Sequence, residues 1–98
     1  MIEYKFPEEK EFILHYAKAL NQPKIEQIIN NGVVLSAADA KALTKFMWLM
    51  ADQAATDKRE ALTVAEKSDL EAWTEYVFQT VRSYLRGNGY EKEWEDNS

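Results

Sequence analysis

Glu11 and His15 are one helical turn apart, and they are the nearest approach to a reactive pair in this chain. Histidine is the one side chain whose ordinary titration falls near neutrality. A carboxylate four residues before it lies on the same helix face. Zinc would need further ligands from His, Cys or carboxylate, and the sequence holds one histidine and no cysteine. The Glu-x-x-His spacing of di-iron bundles would put an acid at position 12, where this chain has Phe12. The pair therefore reads as ordinary helix surface, and no metal is expected.

No nucleophile motif is present either. Ser36 and Ser68 open helix-start motifs, Ser83 falls inside a helix, and Ser98 ends the chain. None sits in the Gly-x-Ser-x-Gly turn that exposes a catalytic hydroxyl. Gly32, Gly87 and Gly89 are the only glycines, too few for a phosphate loop or a dinucleotide fingerprint. Glu66, Glu71 and Glu75 read as solvated helix surface. The expectation is a protein without catalytic residues or cofactor, and not an enzyme.

The elements that position these residues are helical. Pro7 before Glu8 and Glu9 is a strong helix start, because proline loses no needed donor there and acids favour the positive dipole end. Phe12, Ile13, Tyr16, Ala17 and Leu20 then recur at helical spacing, predicting a helix over about 8–21. Asn21-Gln22-Pro23 turns the chain into a short stripe, Ile25, Ile28 and Ile29, over about 24–31. Gly32 can close that helix in the left-handed conformation. Ser36-Ala37-Ala38-Asp39 opens a long helix over about 37–57, by a capping-box variant with Asp for Glu. Thr63-Val64-Ala65-Glu66 and Ser68-Asp69-Leu70-Glu71 are both possible starts for the next helix, taken as 64–86 and closed by Gly87. The fold class is all-α: a small four-helix bundle with an N-terminal extended strap and a short aromatic, acidic C-terminal tail over 90–98. Ile2, Tyr4 and Phe6 alternate as a strand would and could pair with 32–35; two isolated strands are marginal, which favours the strap.

Ninety-eight residues with 46% apolar and 12% aromatic composition suit one folded domain. The formal charge of −5 is uneven. Glu3, Glu8, Glu9 and Glu11 outweigh Lys5 and Lys10, and Glu91, Glu93, Glu95 and Asp96 outweigh Lys92, so the span between sums to zero. A basic stripe for nucleic acid is missing, and a neutral body does not suit a DNA mimic. The longest apolar run, Phe46 to Ala51, is far short of the ~20 residues of a membrane span. The N-terminus lacks the basic-then-apolar pattern of a secretory signal. A cytoplasmic protein away from membranes is the default expectation.

Helix faces supply the candidate site. Leu70, Trp73, Val77, Val81 and Tyr84 cluster within roughly 80° on the last long helix, and Tyr76, Leu85 and Phe78 widen the apolar arc to about 200°. So wide an arc implies two neighbours in the bundle, or one neighbour and a partner. On the preceding helix Leu43, Phe46, Met47, Met50 and Ala54 form the core stripe. Trp48 falls about 140° away from that stripe, beside Lys41, Lys45 and Asp52 and near Ala51 and Ala55. A Trp on a polar face beside small residues suits an interface anchor, unless another part of the chain covers it. Lys41, Lys45, Trp48, Asp52, Phe78, Tyr90 and Trp94 are the candidate protein-interface residues.

The leading functional expectation is a small non-enzymatic protein-interaction module, a binder, adaptor or inhibitor that forms a homodimer or docks another protein. Toxin-neutralising and phage-encoded inhibitor proteins share its size and charge, which is an analogy only. The alternative is a DNA-associated regulator using a degenerate helix-turn-helix over 24–48. Its turn is longer than the 3–4 residues of that motif, and Asp39 stands where contacts to DNA are wanted.

Overall fold

Pro7 opens α1 (Pro7–Ala19), and Pro23 opens α2 (Pro23–Asn31), each at a first-turn position where its missing N–H is not needed. Ser36 caps α3 (Ala37–Glu60), its hydroxyl accepting from the Asp39 N–H at 3.1 Å. Thr63 caps α4 (Val64–Gly87) in the same way through Glu66, so the first of the two possible starts is the real one. A fifth helix, α5 (Glu91–Glu95), follows. The computed structural model describes residues 1–96, and none of these forms a strand. The chain is thus the all-α bundle that periodicity predicts, its four longer helices packed together.

The turns explain the boundaries. Asn21 takes φ 53° between α1 and α2, a left-handed conformation that Asn tolerates better than most residues. Gly32 caps α2 at φ 75°. A Cβ there would lie 3.2 Å from Met1 Cε, so Gly32→Ala is expected to cost about 1–2 kcal/mol in chemical denaturation. The α2–α3 connector, residues 32–36, is longer than the 3–4 residues of a helix-turn-helix, and Lys24 of α2 pairs with Asp39 of α3 at 3.0 Å. The N-terminal residues lie along this connector: Ile2 is buried and its N–H donates to the Gly32 carbonyl at 2.7 Å. Val34 is also buried, and its N–H donates to the Tyr84 hydroxyl of α4.

Helices α3 and α4 run antiparallel around a three-residue turn, as short connections require. Trp48 meets Phe78 and Lys58 meets Glu71, so numbering falls on one helix as it rises on the other. At ~1.5 Å per residue, 24 residues account for most of the 40 Å longest dimension. The α3 core stripe is as read, with Ala40 and Thr44 added to it.

One expectation about α4 needs correction, and one alternative is decided. Its fully buried residues are Val77, Val81 and Leu85, while Leu70, Trp73 and Tyr84 are half-buried. The first half of α4 projects along α3 beyond the centre of the core, which leaves Trp73 at the rim. The wide apolar arc is met within the chain, because α4 packs against α1, α3 and α5 together. That width consequently gives no support to a dimer.

The acidic end segment is a helix and not a tail. Gly89 at φ 84° reverses the chain, and the Tyr90 N–H donates to the Leu85 carbonyl at 2.8 Å. Helix α5 then folds back on α3 and α4, with Arg86 bridging to Glu91 at 3.3 Å and to Glu95 at 3.7 Å. The last two residues of that segment, 97 and 98, lie outside the described residues.

Candidate functional site

Exposure separates the seven candidate interface residues. Lys41, Lys45, Trp48 and Asp52 all lie on the outer face of α3. Trp48 is 43% exposed, as is neighbouring Leu49. The Trp48 ring contact is with Phe78 of α4, centroids 5.2 Å apart and planes at 69°. Phe78 in turn meets Trp94 at 5.9 Å and 73°. These edge-to-face geometries are each worth about 0.5–1.5 kcal/mol beyond burial. Trp94, however, is 8% exposed, sealed into its own bundle and unreachable from outside. Tyr90 is half-buried beside it and serves the chain reversal. The structure therefore reduces the candidate surface to the α3 face and the edge of Phe78.

That surface borders a groove between α3 and α4 of about 450 Å³. Its floor is Ala51, Ala54 and Ala55 of α3 with Leu70 of α4. Alanines on one helix face leave the space that longer side chains would fill. Trp48 and Phe78 stand at one end. About 15 Å further along the helices, Lys58 and Glu71 close the other end at 2.8 Å. The Lys58 ammonium holds the Glu71 carboxyl below its ordinary range, first by hydrogen bond and then by charge. Both side chains are well exposed, so this bridge shapes the rim more than it stabilises the fold.

A buried acid was missed by sequence reading. Glu9 is 0% exposed. One carboxylate oxygen accepts from the Phe6 N–H at 2.7 Å, the half of a capping box that Phe6 cannot reciprocate. The other accepts from the Thr80 hydroxyl of α4. The signal was available: Glu9, Ile13, Tyr16 and Ala17 share one helical face, the face that is buried. Burial with fixed donors, and no ion pair among the described residues, makes Glu9 a tie between α1, α4 and the N-terminal segment. Tyr4 lies close enough that the charge of Glu9 adds to the effect of burial in pushing its phenol up to about 12.

A second tyrosine is tied to an acid. Tyr16 is buried and donates to Asp57 at 2.6 Å, and Gln53 donates to the other oxygen of that carboxylate at 3.1 Å. Burial first, then the Asp57 hydrogen bond and charge, raise the Tyr16 phenol as well. In both cases the folded state holds a proton that the unfolded chain releases near pH 10. Their contribution to stability is therefore whole below pH 10 and lost as pH rises toward 12. Phenolate absorbance and far-ultraviolet circular dichroism recorded together should show two of the five tyrosines ionising only as helix is lost. Full ionisation with the helix signal intact would contradict this.

Phe12, Tyr16, Leu70 and Trp73 wall a second hollow, of about 390 Å³, between α1 and the first half of α4. His15 lines it too, its ring 5.1 Å from that of Tyr16. Among the described residues no three His, Asp or Glu side chains come together as metal ligands, and no helix is long and apolar enough to cross a membrane. No family model matches the chain, and comparison with curated proteins and with solved structures finds no match.

Proposed function

We propose that this chain is a small protein-interaction module, not an enzyme, that binds a partner protein through the α3–α4 groove and the adjoining face of α3. The observation that carries the reading is Trp48: a large aromatic, 43% exposed, at the mouth of an alanine-floored groove. Trp, Tyr and Arg dominate the residues that carry binding energy, and they work best beside pockets that exclude water. Lys41, Lys45 and Asp52 supply the polar rim such anchors have. The groove is short, so it takes a few side chains and not a whole domain.

Self-association is the first form of this reading to test, since a second copy needs no other component. Light scattering over a wide concentration range decides it: self-association through this surface requires a homodimer at micromolar concentration. Trp48→Ala should then weaken association by 2 kcal/mol or more, about 30-fold. Its melting temperature should stay close to that of wild type, because the stability cost is about 1 kcal/mol. An 11.4 kDa monomer at every concentration would remove the dimer and leave a different protein as the partner.

A further inference from the structure

Acids from three separate helices come together on one part of the folded surface. Glu8 and Glu11 of α1, Asp57 of α3 and Asp69 of α4 all line the aromatic hollow, and no Lys or Arg does. None of the four makes an ion pair among the described residues. Asp57 is engaged by neutral donors only, the Tyr16 hydroxyl and the Gln53 amide. The nearest lysine along α3, Lys58, is turned to the other side, against Glu71. An adjoining concavity shares Asp57, Asp69 and Leu70 and adds Glu60 and Glu66. Beyond its edge Leu62 and Val64 stand 93% and 83% exposed.

We propose that this hollow is a docking site for an arginine-bearing segment of a partner protein, with one guanidinium seated against the half-buried rings of Phe12 and Trp73. Charge complementarity selects a cation. The spread of the carboxylates, which do not converge as ligands for one metal ion, selects a delocalised cation over a point charge. Aromatic walls select guanidinium over ammonium, since the planar ion is weakly hydrated and stacks on π faces. A nucleic acid or an anionic lipid surface would be repelled. The adjoining acidic concavity suits a second basic side chain of the same segment, and Leu62 and Val64 offer apolar contact beside it. The inference rests on the hollow alone; it holds whether or not the α3–α4 groove is an interface.

The test is a titration of the 15N-labelled protein with N-acetyl-argininamide, its neutral citrulline analogue, and a short peptide carrying two arginines. Argininamide should give saturable shifts centred on the Trp73 indole N–H and on α1 around Glu11 and His15, with affinity falling as salt is raised. The two-arginine peptide should bind more tightly at the same residues. The double variant Glu11→Gln/Asp69→Asn alters two exposed side chains, so it should keep its fold and bind about ten-fold more weakly. Shifts scattered over the surface, equal binding of the citrulline analogue, or unchanged affinity in the folded double variant would each overturn the proposal.

Discussion

Trp94→Ala should cost roughly 3–5 kcal/mol of stability, the loss usual for emptying a buried Trp site. The indole is 8% exposed, it ends the aromatic series that runs through Phe78 to Trp48, and it fastens α5 to both long helices. At about 4–8 °C per kcal/mol in a domain this size, the melting temperature should fall by more than ten degrees. Truncation after Gly89 removes these contacts together with the Tyr90 N–H bond and the Arg86 bridges, and should cost at least as much. Trp73→Ala should cost clearly less, because Trp73 is half-buried and packs on Phe6 and Tyr76 at 5.8 and 5.7 Å near the surface. If the two tryptophan variants melt in the reverse order, α5 is not seated on the bundle as described.

The second large effect concerns the α3 stripe. Met47 is fully buried at the middle of the stripe that Leu43, Phe46, Met50 and Ala54 continue in both directions. Met47→Ala should lose about 2–5 kcal/mol through lost burial and an unfilled cavity, whereas Met47→Leu conserves volume and should cost less than about 1.5 kcal/mol. Leu62→Ala, at a side chain 93% exposed, should stay within about 0.5 kcal/mol of wild type. Urea denaturation of the three variants measures all of this. Near-equal midpoints would mean that the stripe does not face the core.

Periodicity made α3 legible because its apolar residues are sparse and fall on one face. It misled on α4, where apolar residues are so many that a wheel cannot tell the face against α3 from the face against α1. The arc centres on Val77, and the buried line, Val77, Val81 and Leu85, runs to one side of it, leaving Trp73 and Tyr84 on the other. The α5 segment was half legible. Tyr90 and Trp94 at one-turn spacing mark a helix face, but charge over 91–98 argues for solvation, and only the reversal at Gly89 brings Trp94 into the core. Glu9 escaped because acids after Pro7 satisfy the helix dipole, which explains their presence without asking which way each one faces.

The candidate site divided along the same line. Trp48 was found because one large aromatic among Lys41, Lys45 and Asp52 breaks a local pattern. The acidic, aromatic hollow was not found. Its walls come from α1, α3 and α4, so residues more than 40 apart, such as Tyr16 and Asp57, must be brought together before it exists. Charge summed along the chain could not show it, because the lysines balancing those acids lie elsewhere on the surface.

The central claim, that this chain works by binding protein through the Trp48 surface, is tested most directly by affinity capture from its native host. Immobilised wild type and Trp48→Ala would be compared on the same nuclease-treated lysate, after matched melting curves establish that both are folded. The account predicts a defined set of proteins on the wild type that survives nuclease and is depleted on Trp48→Ala. Capture that disappears with nuclease, or that is identical on the two proteins, would contradict it.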